Sequence, residues 1–495
     1  MTRSTFFAFP RQDLVAGIVV FLVAVPLCLG IALACDVPPI SGLVAGAVGG
    51  LVVPLLSRSP LSVSGPAAGL TSIVLAQLAT LGGLAPLLLA VMLAGGLQIG
   101  LGLLRAGRLS GLVPGAVVKG MLASIGIVII GKQLPVAFGA SGSWTSLRPD
   151  SVHAGSTLLA VLSLVVLYGQ KHTPLGRVKL LSPALVVVVL TALLAALFGR
   201  DGALGLQPAE FIEVPLGGFA ALLDALPRPD FGALGNRDVW LAAATLAIVA
   251  SIETLLSVQA VDRLDPLKRH SPPNRELVAQ GVGNVLSGWC GGLPITAVIV
   301  RSGANVAAGG RERLAAFVHG LLLVLAVVFA GSLLNQIPRA ALAAVLIQVG
   351  LNLCKPALFV SQWRLGFAQF LPFAITIAAV LATDLLLGVL IGVAVGIVVV
   401  LRQNAQGAVR VERRGQGDWS VRFRRDATFL TKPALFAHLE QVQSGDRVVI
   451  DGTGEYVDHD VKEALAQFVG DAGHRGIEVQ LVGIDLAGVG GGGGH

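Results

Sequence analysis

An arginine lies where this apolar chain changes from one backbone pattern to another. In "ITAVIVRSGANVAAGG" (295–310) a β-branched run leads into Arg301, and a run rich in glycine and alanine follows it. A guanidinium stays charged and presents five N–H donors, so it favours the binding of an anion. The two alternatives are a guanidinium satisfied by backbone carbonyls and one paired with Glu253.

The stretch "LSVSGPAAGLTSIVL" (61–75) shares this pattern, because it begins like a strand, breaks at small residues and continues as a short helix. The residues at the two breaks are expected to cap or begin these helices: Ser64, Gly65 and Pro66 in the first, and Ser302 and Gly303 in the second. A helix N-terminus offers free N–H groups and about half a positive charge. Two such termini beside Arg301 predict an anion site.

Glu253, in "LAIVASIETLLSVQAV", is the only acid expected deep inside an apolar span. Carboxylates inside a membrane are costly and usually functional. We therefore predict that Glu253 exchanges a coupled proton, and the alternative is a static counter-ion that fixes Arg301. The motif "GIVIIGKQ" (126–133) resembles a P-loop, but Gln133 stands where Ser or Thr would hold magnesium. The four cysteines have no metal-ligand spacing. We expect no cofactor, no metal, no nucleic-acid partner and no enzyme activity.

The composition places these residues in a membrane. Of 495 residues, 54% are hydrophobic and 13% are charged, against about 25% charged in soluble domains. Apolar runs close to the ~20 residues that cross a bilayer recur along the chain. We expect segments at 13–34, 40–56, 62–78, 83–104, 111–131, 155–170, 181–198, 239–259, 276–291, 295–309, 314–334, 338–354, 366–382 and 384–401.

The two interrupted segments are the third and the tenth, so each is third in a set of seven. Because seven is odd, the second set must run inverted, and paired interrupted segments point to a transporter's binding site. The expected order is an N-terminus (1–12), a first repeat (13–198), an extracytoplasmic loop (199–238), a second repeat (239–402), a small α/β domain (412–486) and a flexible tail (487–495). Lys and Arg concentrate in alternate loops, which predicts a cell inner membrane protein with both termini cytoplasmic.

These stretches together resemble the sulfate permease (SulP) family of solute carrier 26-type anion transporters. The resemblance rests on "DLVAGIVVFLVAVPLCLGIALACDVPPISGL" (13–43), "SVSGPAA" (62–68) and "VRSGANVAAGG" (300–310). The later "VVIDGTGEYVDHDV" (448–461) is similar to the sulfate-transporter and anti-sigma-antagonist (STAS) domain that follows such permeases. The resemblance implies an all-α polytopic membrane protein of fourteen segments in two inverted repeats, divided into core and gate domains. It also implies two strand and half-helix segments at the midplane and a cytoplasmic α/β domain.

The resemblance further implies that anions bind between the third and tenth segments. The residues that would line this site are Leu27, Ile31, Ala67, Ala68, Val300, Arg301, Ser302 and Gly303. Family members often have a polar residue where Leu27 stands, an aromatic at Ala67 and a serine at Val300. The pocket of this chain should therefore be wider and more apolar.

The expected function is secondary active anion transport by an elevator mechanism, as proton-coupled symport of a dicarboxylate such as fumarate. Bicarbonate or sulfate transport is the alternative, followed by an anion channel or exchanger of the same family. A nucleobase permease of the same fold is a third reading, but an arginine on the tenth segment argues against it. The expected partners are the anion, protons, membrane lipids and a second copy of the chain in a homodimer.

Overall fold

A computed structural model describes residues 6–107, 114–140, 152–173, 182–199, 202, 204–216, 218–406, 408–413, 417–424 and 426–486. The tail expected at 487–495 lies outside these ranges. The chain separates into two compact units, one of Met1–Arg364 with Phe373–Ile391 and one of Leu365–Pro372 with Gly392–His495. Each unit is described by itself.

The first seven expected segments all have a counterpart in the first unit. They are α1 (Pro10–Ala34), α2 (Pro39–Leu51) with the single turn α3 (Val53–Leu56), strand β1 (Ser64–Pro66) with α4 (Thr71–Leu81), α5 (Leu84–Leu103), α6 (Gly115–Ala137), α7 (Ala154–Gly169) and α8 (Pro183–Phe198). Proline begins α1, α2 and α8, because its missing N–H and fixed φ suit the first helical position.

The second seven segments follow a short helix, α9 (Gly218–Ala225). They are α10 (Arg237–Leu264), α11 (Pro273–Trp289), strand β2 (Ile295–Ala297) with α12 (Ile299–Ala308), α13 (Leu314–Phe329) with α14 (Gly331–Leu334), α15 (Arg339–Leu353) with α16 (Pro356–Arg364), α17 (Phe367–Ala382) and α18 (Leu385–Gln406). Among the described residues, seven helices are long and apolar enough to cross a membrane, and five shorter ones are also apolar. The prediction of a polytopic helical membrane protein is confirmed.

The two interrupted segments are alike at both ends. Each starts with a three-residue strand, and each helix ends at a glycine in the left-handed region: Gly82 (φ 71°) after α4 and Gly309 (φ 94°) after α12. Glycine suits this conformation because it has no Cβ to clash with the carbonyl. Both half-helices therefore end in the same way, at a glycine in the left-handed conformation.

The helices of the first unit form two groups. In one group α1, α2, α5, α10, α11, α12 and α13 contact one another, and in the other α6 and α7 both contact α15. Helix α15 also contacts α1, so it borders both groups. This division corresponds to the expected core and gate.

Reciprocal glycine pairs let helices cross at backbone contact. A Cβ on Gly95 of α5 would lie 2.5 Å from Gly281 O of α11, and one on Gly281 would lie 2.6 Å from Gly95 O. Gly50 of α2 and Gly320 of α13 form the same kind of pair, with 2.6 Å on each side. Small residues allow such close crossing in membranes, where packing rather than water drives association. Each pair joins the second segment of one half to the fourth segment of the other half.

The second unit contains a four-stranded sheet in the order β3-β4-β5-β6, made by β3 (Val409–Arg413), β4 (Asp418–Phe423), β5 (Arg447–Asp451) and β6 (Glu478–Val482). Strands β3 and β4 are antiparallel, and the other pairs are parallel. Helices α19 (Lys432–Leu439) and α20 (His459–His474) contribute to its apolar core. The α/β prediction is confirmed, but the predicted start at residue 412 falls inside β3, whose "VRVER" alternates too briefly to be recognised.

We expect Gly95→Ala to lower the stability of the protein by about 1–3 kcal/mol, because the added methyl group forces α5 and α11 apart. Thermal unfolding of the purified protein in detergent measures this loss. Gly96→Ala is the matched control, since a Cβ on Gly96 meets no atom within 4 Å. Equal melting temperatures for the two variants would contradict the close crossing.

Candidate functional site

Two short strands meet in the middle of the first unit. Strands β1 and β2 are antiparallel, with Ser64 opposite Ala297, Gly65 opposite Thr296 and Pro66 opposite Ile295. All of these residues are buried. Backbone that leaves the helical conformation inside a membrane must find partners within the protein. Each interrupted segment therefore supplies the partners that the other lacks.

Helix α11 holds the strands with side-chain amides. Asn284 Oδ1 accepts a hydrogen bond from Ile295 N at 2.7 Å, and Asn284 Nδ2 donates to Ile295 O at 3.0 Å. One turn earlier, Gln280 Nε2 donates to Ser64 Oγ at 2.6 Å and to Glu276 Oε1 at 3.0 Å. These contacts reach both strands from one helix, so they fix where the two half-helices start.

The predicted helix caps are wrong. Ser64, Gly65 and Pro66 form β1, and the helix begins later, with a 3₁₀ turn at Ala68–Leu70 that leads into α4. Ser302 and Gly303 lie inside α12, which begins at Ile299. Neither half-helix has a side-chain cap. Strand pairing with Ile295–Ala297 therefore occupies Ser64, Gly65 and Pro66, which the sequence had assigned to the start of the helix.

Arg301 is fully buried between the two strands and the helices behind them. Its Nη2 donates to Pro66 O at 3.3 Å, whereas Nε and Nη1 have no partner among the described residues. A Cβ on Gly65 would overlap Nη1, so the guanidinium occupies space that only glycine leaves free. One backbone carbonyl thus contacts the guanidinium, so the alternative in which carbonyls satisfy it is met only in part. No ion pair with Glu253 occurs within the described chain.

A cavity of about 380 Å³ lies beside the starts of the two half-helices. Its walls include Ala68 and Gly69 from the first half-helix, residues 298–300 from the second, and Glu253 from α10. Lys119, near the start of α6, and Arg263, near the end of α10, also line it. The cavity thus runs from the half-helices toward two cationic side chains.

Glu253 lies against the backbone of the first half-helix. A Cβ on Gly69 would be 2.5 Å from Glu253 Oε1 and 2.9 Å from Oε2. Oε2 has no hydrogen-bond partner among the described residues. The carboxyl group therefore occupies the position at a helix N-terminus where an anion is attracted.

The structure brings only part of the predicted lining to this cavity. Ala68 and Val300 line it, and Val300 is 41% exposed. Leu27, Ile31 and Ala67 are buried and are not among its lining residues. Arg301 and Ser302 are fully buried and are not among its lining residues. A Cβ added at Gly303 would have no atom within 4 Å, so this position faces open space. Their contact with substrate stays a prediction.

Ser302 has a structural use that its sequence position did not indicate. Its Oγ accepts a hydrogen bond from Val63 N at 2.9 Å and donates to Val298 O at 2.8 Å. Asn305, one turn later, donates to Leu61 O at 3.0 Å. One face of α12 therefore fastens the segment that leads into β1.

A second cavity, of about 870 Å³, lies near the end of α1 and the end of α6. Its polar lining residues are Asp36, Lys132, Gln133, Ser156, Glu210 and Arg339. Leu75 of α4 also lines it, and it shares no lining residue with the first cavity. The first half-helix segment therefore borders two separate cavities.

Sequence reasoning missed three buried polar groups. Glu276, in the first turn of α11, is 1% exposed and accepts hydrogen bonds from Ser57 and Gln280. Cys28 and His319 are fully buried close to Arg301. The spacing of Glu276, Gln280 and Asn284 places three polar residues on one helical face. That spacing was the available signal, whereas nothing local indicated the other two.

Comparison with known proteins identifies relatives along most of the chain. The sulfate permease family model matches residues 11–376. A putative sulfate transporter, YbaR of Bacillus subtilis, is 27% identical over 96% of this chain and 95% of its own length. The bicarbonate transporter BicA of Synechocystis is 28% identical over 71% of this chain and 63% of its own length.

Solved structures share the fold. The transmembrane domain of a cyanobacterial bicarbonate transporter, BicA, superposes with a TM-score of 0.67 at 24% identity, covering 80% of this chain and 99% of that one. The SLC26A9 structure superposes with a TM-score of 0.78 at 18% identity, covering 97% of this chain and 85% of that one.

We expect Gly65→Ala to leave the protein folded but to reduce anion transport at least tenfold, about 1.4 kcal/mol. The new methyl group must displace the end of the Arg301 side chain, which is flexible, rather than the backbone. Uptake into proteoliposomes measures transport, and Gly100→Ala, with open space at its Cβ, is the control. Normal uptake by the Gly65 variant would mean that the position of Arg301 is unimportant.

Proposed function

The chain belongs to the sulfate permease family of membrane anion transporters, and we propose that it is a proton-coupled symporter of a dicarboxylate such as fumarate. The observation that carries this proposal is the cavity of about 380 Å³ that ends at the half-helices and at Glu253. Its volume lies within the ~300–1,000 Å³ of small-molecule sites, and its walls combine apolar side chains with a few charged ones.

The binding of a dianion is supported by the positive features around this cavity. The N-termini of α4 and α12 begin beside it, and Lys119 and Arg263 line it. Arg301 lies behind the strands with two nitrogens that have no partner. One carboxylate would face the half-helices and the other would face Lys119 and Arg263. The anion would thus offset a charge that the described chain leaves without an ion-pair partner.

Proton coupling would occur at Glu253. In its ionised form this carboxylate lies at the start of the first half-helix and would repel an anion there. A protonated Glu253 loses that repulsion and offers an O–H donor to a substrate carboxylate. Substrate and proton would then bind together, which is the requirement for symport.

Alternating access would follow from the two helix groups. Substrate would bind to the group of α1, α10 and α12, and this group would move as a core past α6, α7 and α15. The separate cavities, one lined by Arg263 and the other by Asp36 and Lys132, would be the two ends of this path. We place the Arg263 side in the cytoplasm of a cell with an inner membrane, with both termini on that side.

A smaller inorganic anion is the second candidate. Relatives described as bicarbonate and putative sulfate transporters favour it. Uptake of labelled fumarate, succinate, bicarbonate, sulfate and chloride into proteoliposomes, with and without an inward proton gradient, separates the possibilities. Gradient-stimulated uptake confined to bicarbonate or sulfate would replace the dicarboxylate, and conductance without coupling would indicate a channel.

We also propose that the protein acts as a homodimer in contact with membrane lipids, without covalent chemistry or a cofactor. The C-terminal α/β domain, which we propose is STAS-like, would contribute to assembly or docking rather than to substrate binding. Cross-linking in native membranes with and without residues 408–495, a deletion that removes β3 entirely, tests this role.

We expect Glu253→Gln to abolish the stimulation of uptake by an inward proton gradient while substrate exchange persists. The amide keeps the shape and a donor but cannot release a proton. Ser257→Ala is the matched control, because Ser257 lines the same cavity one turn later on α10 and does not titrate. A stable Glu253→Gln protein with full gradient-driven uptake would remove Glu253 from the coupling mechanism.

A further inference from the structure

Three arginines of the first unit, Arg58, Arg275 and Arg313, form a cluster around the end of α3. Arg275, in the first turn of α11, donates from Nε to Leu56 O at 2.7 Å. Arg313, which directly precedes α13, donates from Nη1 to Ser57 O at 2.6 Å. Arg58 is the next residue along the chain. Two guanidiniums are thus held on neighbouring carbonyls of one short segment, and a third cation follows that segment directly.

No acid pairs with this arginine cluster. None of its three members forms an ion pair in the described part of the chain. Glu312, the neighbour of Arg313, pairs instead with Arg269 Nη1 at 2.8 Å. Glu276, the neighbour of Arg275, is buried and accepts hydrogen bonds from uncharged side chains. The acids that are adjacent in sequence are therefore already engaged elsewhere.

The arginine cluster is open to the surroundings of the protein. Arg58 and Arg275 are exposed, and Arg313 is half-buried, with a buried Nε that has no hydrogen-bond partner among the described residues. Burial lowers the pKa of Arg313 against the attraction of Glu312, and the positive charges of Arg275 and Arg58 lower it further. Like charges held at one place repel each other, and a bound anion offsets that repulsion. The cluster therefore favours an anionic ligand.

Exposed apolar side chains lie beside the arginine cluster. Leu55 and Leu56, the last two residues of α3, are both exposed. The Phe6 ring lies under the Arg313 guanidinium, with 5.6 Å from Cζ to the ring centroid, and the next residue, Phe7, is 71% exposed. In a membrane protein, exposed apolar side chains contact acyl chains, and arginines at the end of a span lie at the level of the headgroups. This surface thus offers positive charge for a headgroup and apolar contact for an acyl chain.

We propose that Arg58, Arg275 and Arg313 bind the headgroup phosphate of an anionic phospholipid such as phosphatidylglycerol. Guanidinium groups form charge-assisted, often bidentate hydrogen bonds with phosphate. Arg58 has no hydrogen bond in the described chain and Arg275 uses only Nε, so their remaining N–H groups are available to the phosphate. A lipid is a better occupant than a soluble anion, because its phosphate is held at the level of this surface while its acyl chain covers the exposed apolar side chains.

The bound lipid bridges the two halves of the chain. Helix α3 belongs to the first half, whereas α11 and α13, which bring Arg275 and Arg313 to it, belong to the second. All three lie in the helix group that includes α1, α10 and α12. The inference rests on the proposed contact with membrane lipids and does not depend on which anion the protein transports.

Native mass spectrometry of the full-length protein, titrated with phosphatidylglycerol or with phosphatidylcholine, tests the proposal. We expect phosphatidylglycerol to bind more tightly than phosphatidylcholine. Arg58→Gln and Arg275→Gln should each weaken its binding about fivefold, which corresponds to the ~1 kcal/mol contributed by one cation near a membrane surface. Arg58→Gln is the decisive variant, because this side chain forms no hydrogen bond or ion pair in the described chain that its loss would break.

Arg237→Gln is the control, because it removes one exposed arginine at the start of α10, outside the cluster. Equal binding of the two lipids, or equal weakening by Arg237→Gln and Arg58→Gln, would overturn the proposal. Displacement of phosphatidylglycerol by inorganic phosphate at a similar concentration would mean that the cluster binds a soluble anion and that the lipid assignment is wrong. These measurements involve no transport, so their failure would leave the proposed transport function untouched.

Discussion

The structure depends on one constraint: the backbone leaves the helical conformation twice in an apolar interior, and every exposed N–H and C=O there needs a partner. Pairing of Ser64–Pro66 with Ile295–Ala297 meets this need, and Asn284 and Gln280 complete it from α11. The half-helix starts are therefore placed by contacts between the two halves of the chain. Any site built on them has its geometry set by the strand register, since a slip of one residue would turn each side chain to the opposite face.

The buried positive charge of Arg301 depends on the same strand arrangement. The strands leave room for a fully buried guanidinium, and inserting an arginine at the centre of a membrane costs about 2.5–3.5 kcal/mol. Arg301 has one long carbonyl contact and no ion-pair partner in the described chain. Glu253 lines the cavity beside the half-helices and lies against Gly69, with no ion pair to the arginine. Under the proposed function, these two separated charges would act on an anion that binds together with a proton.

The membrane segments could be predicted from the sequence, but the contacts between distant residues could not. Apolar runs predicted the fourteen segments, and the paired breaks near Gly65 and Arg301 indicated where the two halves meet. The helix caps failed because the partner of Ser64 is more than two hundred residues away, and local propensity has no information about it. The hydrogen bond from Val63 N to Ser302 Oγ was missed for the same reason, since 239 residues separate the two. Residues far apart in the chain meet only through packing.

The strand pairing also has a consequence for how the protein folds during its synthesis. When the ribosome has delivered the first seven segments, β1 is complete but β2 does not yet exist. At ~5–20 residues per second, about ten to fifty seconds pass between synthesis of Pro66 and Ile295. During that interval the backbone of β1 must be shielded by the translocon, by water or by a chaperone, because lipid cannot supply its hydrogen bonds. The first half therefore stays incompletely folded until the second half is synthesised, and during this interval the nascent chain is exposed to membrane quality control.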